Sequence, residues 1–257
     1  MSTFTKIKTE SRFDGQVIAI TLSNGKGNII DKDLMAELIH AVDLAAAEKN
    51  TKAIVFSGQG DHFSFGASVP EHQKDQVAGM LGSFHELFRQ LCKASIPTIA
   101  VVKGQCLGGG MELAAFCNWI FANEHAHFGQ PEIGLSVFAP VASLILPHLV
   151  GQAAADDLLL TGRSINAAKA REIGLVHAVS ADPDKDVHIL IEQHILPKSA
   201  FALRMAVKAA RHDFNESFLR GIDQLESFYL KELMETHDAN EGINAFMQKR
   251  KPEWKNQ

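Results

Sequence analysis

The chain has 257 residues, a formal charge of −5 at pH 7, a pI near 6.2, 46% hydrophobic residues and 21% charged ones. This is the balance of a globular chain long enough for one large or two modest domains. It excludes the basic footprint of a nucleic-acid binder and the polybasic patch of a membrane-surface protein, and no apolar run reaches the roughly 20 residues that a bilayer span requires.

The opening segment "MSTFTKIKTE" has no apolar stretch of the kind a secretory leader carries. "VIAITL" (17–22) is rich in β-branched residues and predicts a strand. Asp31 then predicts a helix cap, followed by Leu34, Leu38, Val42 and Ala46 on one stripe. "AIVFSG" (53–58) is nearly continuous apolar sequence ending in glycine, as in a strand buried on both faces. A helix is expected from about Asp75 to Lys93, with Val77, Leu81, Phe84, Leu87, Phe88 and Leu91 along one side. "IPTIAVV" predicts another buried strand, "MELAAFC" (111–117) a helix, and "WIFA" a further strand. This alternation argues for α/β architecture with parallel strands. From about Ser199 the pattern becomes wholly helical. "SAFALRMAVKAA" begins with a serine cap, and one long helix is expected through Phe218, Ile222, Leu225, Tyr229 and Leu233. Asp238 to Glu241 resembles a capping box before "INAFMQKR". The division expected is a core at 1–197 and a helical region at 198–257. The cysteines, Cys92, Cys106 and Cys117, lack paired metal spacing, and reduced thiols in a cytoplasmic protein are expected.

Three stretches carry candidate chemistry. In "GQCLGGGMELAA" (104–115), a strand feeds a helix through Gly108, Gly109 and Gly110. A helix start leaves its first N–H groups unpaired, and glycine allows a ligand oxygen to come close to them. A tight turn with no ligand is the plain alternative. The stretch matches neither the dinucleotide G-x-G-x-x-G nor the phosphate-binding G-K-[ST] pattern. Glu112 follows in a helix expected to be buried nearly all round, where a carboxylate without a cation needs a reason. A negative charge that forms only during reaction, with Glu112 handling a proton or water beside it, suits the arrangement. In "FGQPEIGLSVFAP", Glu132 stands after Pro131; taken alone it reads as a surface-loop acid. "DHFSFGASVPEH" (61–72) follows the strand at 53–58, at the strand end where open α/β proteins bind ligands. Phe63, Phe65, Val137 and Phe138 are candidates for an apolar ring pocket, with ordinary core packing equally open. His62 and His72 read as loop histidines.

Together these stretches resemble the enoyl-CoA hydratase/isomerase (crotonase) family, in order, spacing and local sequence over nearly the whole chain. The resemblance implies a spiral of strand–strand–helix turns with a C-terminal helical trimerisation region, assembled as a homo-hexamer of two trimers. It implies oxyanion donors at the N–H of Ala67, from "FSFGAS", and of Gly109, from "CLGGGMELA". It implies catalytic roles for Glu112 and Glu132, and both together favour hydration over isomerisation. The substrate it implies is an acyl-CoA thioester, with no separate cofactor and no metal. Lys26, in "NGKGNIID", matches a loop near the adenine and phosphates. Phe246 and Lys249, in "FMQKRKP", match residues that reach the CoA of a neighbouring subunit. The acyl group is expected against Phe65, Ser68, Val69 and Phe138. Two departures stand out: Ser68 occupies the place of a usual aspartate, and "LSVFAPVAS" replaces a glycine-rich loop. These segments are most similar to the branch of the family that hydrates cyclic conjugated dienoyl-CoA thioesters in anaerobic aromatic degradation. Open-chain enoyl-CoA hydration, isomerisation and a non-catalytic RNA-binding role are the alternatives.

Overall fold

Residues 4–257 are described by the computed structural model of the protein, so positions 1–3 of the opening segment lie outside it. In chain order the elements are β1 (Ile7–Arg12), β2 (Val17–Leu22), α1 (Lys32–Ala47), β3 (Ala53–Gly58), α2 (Val77–Ala94), β4 (Thr98–Val102), β5 (Gln105–Leu107) and α3 (Gly109–Phe116). They continue as β6 (Trp119–Asn123), β7 (His127–Gly129), α4 (Pro140–Val150), α5 (Gln152–Thr161), β8 (Ser164–Asn166), α6 (Ala167–Glu172), β9 (Ala178–Ser180) and α7 (Pro183–Leu190). Helices α8 (Ala200–Ala210), α9 (His212–Phe228) and α10 (His237–Met247) close the chain.

Two sheets form: one in the order β1-β2-β3-β4-β6-β9, the other β5-β7-β8. The expectation of parallel pairing holds from β2 to β9 and for β5 with β7. It fails for β1 with β2 and for β7 with β8, which are antiparallel. The first exception follows from a tight turn: Phe13, Asp14 and Gly15 all have positive φ, and the Gln16 N–H donates to Phe13 O at 3.1 Å. A two-way turn that short reverses the strand.

The chain repeatedly leaves the large sheet, touches the small one, and enters a helix. β4 passes to β5 and α3; β6 passes to β7 and, after a short turn, α4. After β3, Ser64 makes a single parallel bridge to Cys106 of β5, and α2 follows. This is the expected spiral of strand–strand–helix turns. The small strands escaped the sequence reading because three residues are too few to show a period.

The larger of two apolar cores among the described residues runs through the spiral and into the C-terminal helices, taking in Phe56, Phe88, Phe116, Phe128, Phe218, Ile222, Tyr229 and Ile243. Two helical expectations need correction. The long helix is not uniform: α9 ends at Phe228 and widens into a π-helical turn over Tyr229–Leu233. The cap of α10 is Thr236, whose hydroxyl accepts from the Ala239 N–H, and not Asp238. Asp238 instead accepts from the N–H groups of Lys255 and Asn256, and Glu241 binds Arg250, so both acids pin the C-terminal tail.

Candidate active site

The site is built where successive turns of the spiral end side by side. Ser64 N–H donates to Gln105 O and Leu107 N–H donates to Ser64 O, which sets the first glycine loop against β5. Ser64 Oγ donates to Asn28 O at 2.8 Å and accepts from the Gly66 N–H at 3.0 Å. The Asn28 side-chain amide donates to the carbonyls of Gln59, His62 and Phe63. Asn28 and Ser64 are fully buried, so this network fixes the loop.

The loop ends in Gly66, with φ at +99°, and Ala67. A Cβ on Gly66 would lie 2.9 Å from Leu107 O, so only glycine lets the strands approach here. A Cβ on Gly109 would stand 3.3 Å from the Ala67 nitrogen, which places the two amides on one wall. Ser68 N–H and Gly66 O are both used in pairing with Ile30. Neither the Ala67 N–H nor the Gly109 N–H has an acceptor among the described residues. Gly109 is the first residue of α3, so its amide has no partner within the helix.

Glu112 lies in the first turn of α3, and every residue of that helix is buried. Its Oε1 accepts from the Ala142 N–H at 2.8 Å, in the first turn of α4. Burial drives its pKa up to about 7, against the opposing pull of the Ala142 and Val141 amides. Glu132 sits in a 3-10 turn over Pro131–Leu135 and is only partly exposed, not the surface acid it resembles in isolation. Burial, with the negative charge of Glu112 adding to it, pushes its pKa up to about 8. The amide nitrogen of buried Gln130, oriented to satisfy both ends of the side chain, donates to the two Glu132 oxygens at 3.2 and 3.0 Å. Gly108 joins the pair: its carbonyl accepts from the Glu112 N–H, and a Cβ on it would lie 2.5 Å from Glu132 Oε1.

The remaining candidates scatter. Phe138 packs edge-on against Tyr229, ring centroids 5.2 Å apart. Ser68 and Val69 lie beside the first loop, Val69 opening a 3-10 turn over Val69–His72 and His72 Nδ1 standing 2.9 Å from Ser68 O. Phe65 is 44% exposed, its ring tilted against His62 with centroids 4.8 Å apart, and covers Gly27. Lys26 lines a cleft of about 580 Å³ with Gly25, Gln59, Asp61 and His62, at the edge of the same loop. Phe246 and Lys249 are exposed on the single chain, at the end of α10 and beyond it. Phe63 and Val137 are core residues, and so are Cys106 and Cys117. Sequence reasoning missed Asn28, Ser64 and Gln130 as supports and left Tyr229 as an apolar helix position. The signal for Tyr229 was available: it is the single tyrosine in the chain.

An unpaired pair of amides beside one buried and one partly exposed carboxyl, both of raised pKa, is the equipment for stabilising an enolate and moving one proton. The Enoyl-CoA hydratase/isomerase family profile matches residues 12–257, and the chain belongs to that family. It is a hydro-lyase of the enoyl-CoA hydratase type, with the crotonase fold. The chain is 44% identical over 243 residues to a cyclohexa-1,5-dienecarbonyl-CoA hydratase of Thauera aromatica, covering 95% of this chain and 94% of that one. It is 38% identical to a probable enoyl-CoA hydratase of Rhizobium meliloti, covering 94% and 95%. An enoyl-CoA hydratase structure from Mycobacterium avium subsp. paratuberculosis superposes with a TM-score of 0.86 at 23% identity, over 99% of this chain and 100% of that one.

Proposed function

We propose that the protein adds water to a cyclic conjugated dienoyl-CoA, cyclohexa-1,5-diene-1-carbonyl-CoA, giving 6-hydroxycyclohex-1-ene-1-carbonyl-CoA. The observation that carries the reaction is the adjacency of the free Ala67 and Gly109 amides to Glu112 and Glu132, which both meet Gly108 and feel one another's charge. The identity to the Thauera protein and the Phe138–Tyr229 aromatic wall support the ring substrate.

In this reading the thioester oxygen lies between the Ala67 and Gly109 N–H groups. Water oxygen bonds to C2, the electron pair moves through C1 onto the thioester oxygen and across to C5, and C5 takes a proton. The double bonds at C1–C2 and C5–C6 are replaced by one at C1–C6. Each fixed amide is worth about 3–4 kcal/mol to such a transition state. Glu112, whose charge is favoured by the α4 amides, takes the proton from water. Glu132, with the higher pKa, delivers the proton to carbon.

Lys26 would meet the adenine and phosphate end of CoA from its cleft, and the acyl group would lie against Phe65, Ser68, Val69 and Phe138. Phe246 and Lys249 would reach the CoA of a neighbouring subunit in a hexamer of two trimers. Support for assembly comes from apolar side chains left exposed on the C-terminal helices, Phe201, Met205, Phe228, Phe246 and Met247. A solution mass of six chains is expected by light scattering, and a monomer would refute the assembly.

The test is a panel of cyclic and linear unsaturated CoA thioesters, read by product mass, with solvent labelled in oxygen. The cyclic dienoyl-CoA is expected to be hydrated with the highest kcat/KM and to take up solvent oxygen. Faster hydration of crotonyl-CoA would assign the open-chain substrate instead, and an isomer without added water would refute hydration.

A further inference from the structure

We propose that Tyr229 is a third ligand of the reacting water, its hydroxyl holding the oxygen that the two glutamates activate. The inference rests on the hydratase reading above and extends it to a residue outside the glutamate pair and the amide wall.

Tyr229 is 1% exposed, and its hydroxyl has no hydrogen-bond partner among the described residues. A buried hydroxyl left unpaired is costly, and a site that keeps one calls for a ligand. The neighbours say where that ligand sits. The ring stands edge-on to Phe138, in the segment that joins the Glu132 turn to α4. The first turn of α4 supplies the amide that holds Glu112. Tyr229 therefore lies against the stretch of chain that connects the two carboxyls. Burial above all, and the charges of Glu132 and Glu112 besides, hold its hydroxyl well above the usual tyrosine range. The carboxyls are thus near enough to be felt, yet no hydrogen bond joins either of them to the hydroxyl. A buried hydroxyl without a partner, near two carboxyls that do not bond to it, leaves room for the bonds of a buried water, which takes 2–4 partners. The hydroxyl both donates and accepts, so it serves the water before attack and the new carbinol afterwards.

The backbone is shaped for this placement. The regular helix α9 gives way at Tyr229 to the π-helical turn, with Met234 N–H donating to Tyr229 O at 2.9 Å. Such a widened turn changes where the following side chains point, and these turns recur at functional sites.

The test is Tyr229→Phe in the full-length protein, with three readouts. The kcat for whichever thioester the wild type hydrates is expected to fall 10–100-fold. The dissociation constant of 3-hydroxybutyryl-CoA is expected to rise several-fold relative to that of butyryl-CoA, which lacks the hydroxyl. The Tm is expected to hold or rise, because the substitution removes an unpaired buried polar atom. That combination separates a water ligand from a packing residue, for which kcat and Tm would fall together with no change in the ratio of the two dissociation constants. A kcat within twofold of wild type, with that ratio unchanged, overturns the inference. Failure of the hydratase reading is seen separately, as no water uptake by the wild type on any thioester of the panel, while the binding ratio still tests Tyr229.

Discussion

A carboxyl in the interior holds its proton to a higher pH than one in water, because burial disfavours the charged form. Glu112 and Glu132 therefore ionise closer to neutrality than free carboxyls, and because the charge of Glu112 holds the Glu132 proton on, one ionises before the other. That order supplies the state hydration needs: one carboxylate to take a proton and one carboxyl to give one. The kcat/KM profile is expected to fall on the acid side, where both hold protons, and on the alkaline side, where neither does. Glu112→Gln and Glu132→Gln are each expected to lower kcat by about 10²–10⁴ while CoA-thioester affinity persists. Near-wild-type turnover in either variant would remove that residue from the proton path. Gly108 supplies a second check at the same scale. It has φ at +50°, and a Cβ there would stand 2.5 Å from Glu132 Oε1. Gly108→Ala is expected to displace the carboxyl and cut kcat about 10-fold or more, since misplacement of a catalytic group by an ångström is felt that strongly.

At the scale of elements, the glycine helix is held at both ends. Its start faces the amide wall. Its end is gripped from α9's leading edge, where the Arg211 guanidinium donates to the carbonyls of Phe116 and Cys117 and stacks on Phe214 with its carbon 4.9 Å from the ring centroid. Hydrogen bonds from a charged group are worth about 1.5–3 kcal/mol, and a stranded buried carbonyl costs more. Arg211→Met is therefore expected to lower stability by about 2–3 kcal/mol, measured by denaturant melts, with a smaller effect on KM than on Tm. An unchanged melt would mean that α3 is held by packing alone.

For the molecule as a whole, the raised carboxyls link activity to stability. Both Glu112 and Glu132 bind protons more tightly folded than unfolded, so the unfolded chain ionises first as pH rises. Their contribution favours the fold below about 4.5 and is lost as pH climbs through about 7 and 8. Asp31 and Glu37, held below their usual range by hydrogen bonds that outweigh burial, act oppositely and weaken the fold as pH falls. The Glu112→Gln/Glu132→Gln double variant isolates the first effect. It is expected to melt higher than wild type at pH 8, with the gap closing towards pH 5. Parallel melting curves across that range would place the two carboxyls in water rather than in a desolvated site.

The amino-acid sequence alone determined the larger elements and the chemistry-bearing stretches. Strands β2, β3, β4 and β6 and helices α1 and α2 are long enough to carry a period, and the glycines of α3 and the two glutamates stand in recognisable local patterns. What tertiary structure decided is what those patterns face. Strands β5, β7 and β8 are too short to show themselves, yet β5 and β7 stack the glycine turn against the Glu132 turn. Glu132 reads as a surface acid until α5, α10, Gln130 and Gly108 close around its turn. Thr236 and not Asp238 caps α10, because Asp238 is committed to the tail some seventeen residues on. Tyr229 is one apolar position among many along its helix until packing sets its ring beside Phe138. Local propensity reaches only a few neighbours along the chain, whereas burial, and the pKa shifts that follow from it, depend on segments a hundred residues apart in sequence.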